Sequence, residues 1–238
     1  MSSQRSSVHS RVISRCRSRI PQDLTAAVRR NVPTFFWLSV RQSTLLCLIE
    51  AFRQVSTTSR ASGVGAVVAQ RWSPLHGTSP RAGLCWVVLE AVRSEGNLGS
   101  LIRTSEAIGG AGFILAGPRL DPFDPAVVRA SMGALFRQTF IRTNDRGLRN
   151  WVRCHRCRVI GASPDGPAEL HRFDYPRPTI LVLGEERQGL STFQRELCSD
   201  LVRIPMVGAA DSLNLAVAGS LLLYEVFRAR SVRRRDGP

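Results

Sequence analysis

The chain has no run of about 18 apolar residues free of charge, which excludes a transmembrane helix. No GxGxxG follows any of its apolar runs, so a Rossmann-type dinucleotide site is excluded as well. Its six cysteines (Cys16, Cys47, Cys85, Cys154, Cys157 and Cys198) form no framework, as in a protein of a reducing compartment rather than a disulfide scaffold. Cys154 and Cys157 make a lone CxxC without a second pair at zinc spacing, so no metal is expected. Lysine is absent, and all 33 basic residues are Arg. That fits a GC-rich coding bias and also suits bidentate contact with phosphate. Residues 1–22 lack any acid and carry five Arg among many Ser, with Val8, Val12, Cys16 and Ile20 four apart. This is the composition of a disordered basic tail or of an organelle transit peptide; the tail is adopted here, with a soluble, cytoplasmic protein as the expectation.

What is present is enough for a real core: 238 residues, 43% of them apolar. The net charge of +15 is uneven. Residues 1–80 hold 11 Arg against Asp23 and Glu50, residues 81–227 hold 17 Arg against 15 acids, and residues 228–238 hold five Arg against Asp236. The excess lies in the flanks, as expected if they meet phosphate around a near-neutral body; a solvated tail without a partner is the bland alternative.

From residue 84 the pattern becomes regular. Apolar runs at 84–89, 112–116, 159–161, 179–183 and 201–205 read as buried strands separated by helical spacing. The alternation predicts an α/β fold, a parallel sheet flanked by helices on both faces. The first helix is expected to start with Asn97 as N-cap, to bury Leu98, Leu101, Ile102, Ser105 and Ile108, and to end at Gly109-Gly110. Three regions follow: a basic tail at 1–30, a partial domain and linker at 31–80, and the regular domain at 81–238 with its basic C-terminal tail.

Three polar segments stand where apolar strands give way to loops. They are Asn97-Leu98-Gly99-Ser100-Leu101-Ile102-Arg103, Leu183-Gly184-Glu185-Glu186-Arg187-Gln188-Gly189-Leu190-Ser191, and the turn-rich stretch from Ile204 to Ser212-Leu213-Asn214. A Ser-Leu-Asn triplet entering a helix brings small polar side chains beside free backbone N–H groups, a place to hold a ligand. In this order and spacing the three segments resemble the signature motifs of the SpoU (TrmH-type) RNA 2′-O-ribose methyltransferases, within the knotted SPOUT class. The resemblance covers roughly residues 84–230.

It implies a C-terminal trefoil knot, S-adenosylmethionine (AdoMet) as methyl donor, RNA as substrate and a homodimer paired through the knotted ends. By residue match, Arg103 is the catalytic Arg, which stabilises charge on the ribose oxygen or grips the adjacent phosphate. Its bland alternative is a helix Arg paired with Glu106. Asn97 shapes the site, Glu186 is the motif Glu with Glu185 merely solvated beside it, and Ser212 and Asn214 are the third-motif polar pair. Main-chain groups of Gly184, Ile204 and Leu213 meet the cofactor, with Leu183 and Met206 as walls and Gly189 allowing close approach. Ser131, in Ser131-Met132-Gly133-Ala134, resembles a position beside the RNA. "SGVGAVVAQ" at residues 62–70 resembles the closing strand of a ribosomal-protein-like substrate-binding domain, which favours ribosomal RNA over transfer RNA. A catalytically silent assembly factor would be expected to lack Arg103 or Asn214.

Overall fold

The computed structural model describes residues 43–46, 64–67, 69–117 and 120–235. The chain divides after Gln70. In the first unit, β1 (Ser43–Leu46) pairs antiparallel with β2 (Val64–Val67). The expected tail at 1–30 and the rest of residues 31–68 lie outside the described residues.

The second unit, from Arg71 onward, holds a sheet of seven strands in the order β5-β4-β3-β8-β6-β9-β7. These are β3 (Trp86–Leu89), β4 (Gly112–Leu115), β5 (Thr139–Arg142), β6 (Arg158–Ala162), β7 (Ala168–Glu169), β8 (Thr179–Leu183) and β9 (Asp200–Arg203), and every pairing is parallel. Five of the seven are the runs expected from the sequence. The other two, β5 and β7, are the edge strands. β5 carries only Phe140 and Ile141 as buried apolar residues and β7 only two half-buried residues, so neither shows the continuous apolar run of a strand covered on both faces.

Alternation along the central strands sends side chains to two cores. Val87, Leu89, Leu181 and Leu183 face one, against α1 (Glu95–Ala107), α2 (Pro125–Ala130) and α5 (Leu215–Arg235). Trp86, Val88, Ile180 and Val182 face the other, against α3 (Asp145–Cys154) and α4 (Thr192–Leu197). Three of the shorter helices are fixed at their starts by side-chain caps. Asp124 accepts from the Ala126 N–H (2.7 Å), Asn144 from the Gly147 N–H (2.8 Å), and Ser191 and Gln194 form a reciprocal capping box.

Helix α1 buries Leu98, Leu101, Ile102 and Ser105, as its spacing predicts, and the chain turns away through Gly109 at φ +75°. Its N-cap, however, is Ser94, and Asn97 lies one turn inside. Two close approaches frame the helix. A side chain at Gly99 would meet Ala130 Cβ at 2.4 Å, and one at Gly219 of α5 would meet Leu101 and Leu183 at 2.7 Å. α1 is thereby clasped between α2 and α5.

Burial pushes the thiols of Cys85 and Cys198 from 9.0 up to about 12, and that of Cys157 to about 11. A thiol that ionises at 9.0 in the unfolded chain but near 12 in the fold leaves stability unaffected below pH 9. It then favours unfolding increasingly as pH rises toward 12. Alkylation of the native protein at pH 8, read by peptide mapping, is expected to label exposed Cys154 and to spare Cys85 until the chain unfolds. Fast native labelling of Cys85 would contradict the burial.

Candidate active site

The carboxyl ends of β3 and β8 lie side by side, since Leu89 pairs with Leu183. The loop that leaves β3 leads into α1, which carries the first polar segment, and the loop that leaves β8 carries the second. After β8 the chain makes a tight reversal closed by Glu185 and Gly189, which exchange backbone hydrogen bonds of 2.9 Å in both directions. A Cβ at Gly184 would fall 2.1 Å from the Gly189 carbonyl carbon, and Gly189 adopts φ +68°. Both glycines are therefore required by the loop's own closure.

This reversal presents two carboxylates. Glu186 accepts the Arg93 N–H at 3.2 and 3.3 Å and the Asn97 Nδ2–H at 3.1 Å. Asn214 Nδ2 in turn donates to Asn97 Oδ1 at 2.9 Å, while Asn214 Oδ1 accepts from the Ala216 and Val217 N–H groups (2.9 and 3.3 Å) that open α5. An ionised carboxylate only accepts, so Glu186 fixes the orientation of the Asn97 amide, and Asn97 fixes that of Asn214. The three polar segments are thus joined in one directed chain of hydrogen bonds. Glu186 also brings negative charge to the start of α1, where Ser94 makes no side-chain cap bond and a carboxylate is favoured.

Two expectations are corrected. Asn97 does not cap its helix; its amide is spent between Glu186 and Asn214. Glu185 is not merely solvated: its side chain is 13% exposed, forms an ion pair with Arg93 Nε, and accepts the Gln188 N–H at 3.3 Å. Two half-buried acids in sequence need a cation, and Arg93 supplies it. Arg93 went unremarked in the sequence because it stands before the first polar segment, in the loop from β3. Glu90 was missed for the same reason; its carboxylate accepts the Ser191 hydroxyl at 2.6 Å.

Arg103 is not brought into this chain. It lies on the exposed face of α1, between the flank on α2 and the flank on α5, where Ser220 donates to Thr104 at 2.9 Å. Glu106, its supposed partner, instead binds Arg137 at 3.0 Å. Among the described residues Arg103 has no hydrogen bond or ion pair. Ser131 is fully buried and its hydroxyl donates locally to the Val128 carbonyl at 2.8 Å.

The expected cofactor positions fall at neighbouring strand ends. Leu183 and Gly184 end β8 and Ile204 follows β9, with the end of β6 between them through the Gly161–Val182 and Gly161–Leu201 pairings. Leu213 is half-buried beside Asn214, while Ser212 and Met206 lie in the exposed loop of residues 205–212. None of these side chains is charged. Among the described residues no cluster of ligating side chains could hold a metal, and no helix is long and apolar enough to cross a membrane.

A parallel α/β sheet with polar loops gathered at the carboxyl ends of its strands is the architecture of a ligand-binding α/β protein. The comparisons narrow that class. The sequence model of the SpoU rRNA Methylase family matches residues 85–224, and the chain belongs to this family. It is 38% identical over 173 residues to the 23S rRNA (uridine(2479)-2′-O)-methyltransferase of Streptomyces viridochromogenes, covering 70% of this chain and 60% of that protein. It is 33% identical over 159 residues to the 23S rRNA (guanosine-2′-O-)-methyltransferase RlmB of Pseudomonas syringae pv. tomato, covering 63% and 60%. Among solved structures, the AdoMet-bound rRNA methyltransferase from Sinorhizobium meliloti superposes with a TM-score of 0.73 at 35% identity, over 76% of this chain and 70% of that one. The chain spans 60% of the length of each of the first two relatives.

Replacing Asn214 by Ala removes the cap of α5 and its tie to α1 together. The expected loss is about 1–2 kcal/mol, the range for a cap, with faster amide exchange confined to the first turn of α5. Unchanged exchange at Ala216 and Val217 would contradict the assignment.

Proposed function

We propose that the protein is an AdoMet-dependent RNA 2′-O-ribose methyltransferase acting on ribosomal RNA. The observation that carries this reading is the hydrogen-bonded chain Arg93–Glu186–Asn97–Asn214, which unites the three family segments at one edge of the sheet. The names of both relatives above support ribosomal RNA as the substrate.

The proposed cofactor positions fit AdoMet. Main-chain groups at the ends of β8 and β9 and the apolar side chains of Leu183, Ile204 and Leu213 suit an adenine ring, and the lack of an Arg among these positions suits a sulfonium cation. AdoMet supplies a methyl group already activated by its leaving group, so no acid is required of the protein. The demand falls on the ribose 2′-hydroxyl, which is barely ionised at neutral pH. Arg103, a planar cation with several donors, stabilises negative charge growing on that oxygen or holds the neighbouring phosphate. Asn214 and Glu186 keep the loop that enters α5 in register with the first segment. Ser212, in that loop, lies at the family position beside the donor and the ribose.

The reading includes a homodimer and the trefoil knot. Val217, Leu221 and Tyr224 are exposed at i, i+4 and i+7 on α5 (49%, 41% and 55%), an apolar stripe beside Asn97, Ser100 and Thr104. Pairing through this stripe would carry Arg103 of one subunit toward the cluster of the other. That accounts for an Arg whose side chain has no hydrogen bond or ion pair among the described residues. For the knot, the support is the return of the chain from β9, past β6, to lay α5 on α1 and β8.

In a transfer assay with unmodified ribosomal RNA, Arg103→Ala is expected to lower turnover at least about a hundredfold while leaving AdoMet affinity, in the micromolar range, nearly unchanged. An equal loss of AdoMet binding would make Arg103 structural, and no AdoMet binding by the folded wild type would remove the proposal. Light scattering is expected to give a dimer that Leu221→Asp dissociates; a fully active monomer would overturn the pairing.

A further inference from the structure

The segment from Ala130 to Gln138 runs beside α1 in the same direction. At its start, Ala130 Cβ lies where a side chain on Gly99 would meet it at 2.4 Å. At its end, Arg137 pairs with Glu106 at 3.0 Å, and Gln138 accepts the Ser105 hydroxyl at 3.0 Å. Arg103 stands on α1 between Gly99 and Glu106, so residues 132–136 flank it, on the side of α1 away from α5.

Ser131, Ala134 and Leu135 of this segment are buried, whereas Met132 is 73% and Phe136 50% exposed. Met132 takes φ +50° and Gly133 φ +89°. A left-handed backbone is uncommon for a residue with a side chain, and here it accompanies a methionine turned out to solvent rather than into the core. Phe136 follows on the 3₁₀ turn Ala134–Arg137, which is seated on α1. The surround is cationic. Residues 126–144 contain three Arg and no acid. Arg129 and Arg103 are exposed, and neither guanidinium has a hydrogen bond or ion pair among the described residues.

We infer that Met132 and Phe136 form a platform on which an unpaired base of the substrate RNA stacks, with Arg129 and Arg103 meeting phosphates beside it. The inference rests on the methyltransferase reading above and adds an RNA contact separate from the positions proposed for the methyl donor. Stacking on an aromatic ring suits any base, because every base has a flat face, and cations around the ring suit the phosphates that flank it. Two apolar side chains are far fewer than the about 20–30 residues a side of a stable protein interface, yet they match the size of one base. A second copy of this chain would bring the same cations to the patch, whereas RNA brings the opposite charge. Arg103 joins the platform to the reaction: a base held at Met132 and Phe136 keeps the neighbouring ribose within reach of that Arg.

The test uses the full chain and an unmodified ribosomal RNA transcript that the wild type methylates, with RNA affinity read by fluorescence anisotropy across a range of salt. Phe136→Leu keeps an apolar side chain on the turn but removes the ring. It is expected to weaken RNA binding about tenfold, with AdoMet affinity and melting temperature unchanged. Met132→Ser, at the more exposed position, is expected to weaken RNA binding in the same direction in a protein that folds as before. Arg129→Gln is expected to reduce the slope of log affinity against log salt by about one. Unchanged RNA affinity in Phe136→Leu and Met132→Ser overturns the platform, and an unchanged salt slope in Arg129→Gln overturns the phosphate contact. Loss of the dimer in Met132→Ser with RNA affinity retained would assign the surface to a second copy and overturn the inference too. All three results leave the methyltransferase reading standing. Absence of methyl transfer to any RNA removes that reading, and the platform with it.

Discussion

The carboxylate of Glu186 sets the geometry on which the candidate site depends. It can only accept, and it takes one N–H from the backbone of Arg93 and one from Asn97. The Asn97 amide then has a single satisfactory orientation, with its oxygen toward Asn214. Asn214 has a single orientation too, with its nitrogen toward Asn97 and its oxygen over the start of α5. Three segments separated by 89 and 117 positions along the chain are held in register by one acceptor. Charge-assisted bonds of this kind are stronger than neutral ones. The chain also sets a carboxylate beside the start of α1 and fixes the lead-in to α5, so it serves the fold and the site together.

The sheet makes this convergence possible. Because β3 and β8 are neighbours and run parallel, the loops leaving Leu89 and Leu183 emerge at the same edge. Both faces of these strands are buried, one by α1, α2 and α5 and the other by α3 and α4. Polar chemistry is thereby forced to the carboxyl ends. The glycines there are structural: Gly184 and Gly189 let the reversal close on itself, and Gly99 and Gly219 let α1 lie close to α2 and α5. Arg103 of α1 and the apolar stripe Val217, Leu221 and Tyr224 of α5 are exposed, the surface that the proposed pairing with a second copy would use.

Much of this was legible in the residues. Four of the five inner strands are mostly apolar and the α1 stripe is regular, so the α/β class could be read directly. The edge strands could not, because β5 and β7 bury too little to show a run. At the site, residue type identified Asn97, Glu186 and Asn214 but not their relations. An Asn near a helix start looks like a cap, and only the fold shows that Ser94 holds the cap position while Asn97 reaches across to Glu186. Glu185 looked solvated because its cation, Arg93, lies 92 positions away in the chain. Ser131 sat in a segment of the right kind, yet its hydroxyl is buried and bonded locally.

The central claim is that Glu186 and Asn214 act as one unit through Asn97. A double-mutant cycle with Glu186→Gln and Asn214→Ser, reading AdoMet affinity by calorimetry, tests this most directly. Serine retains a cap for α5 but cannot donate to Asn97 in the same way, and glutamine can turn a donor toward the Asn97 amide. The account predicts a coupling energy of about 1 kcal/mol, within the range for residues of one hydrogen-bond network. Strictly additive effects would show that the two residues act independently and would contradict it.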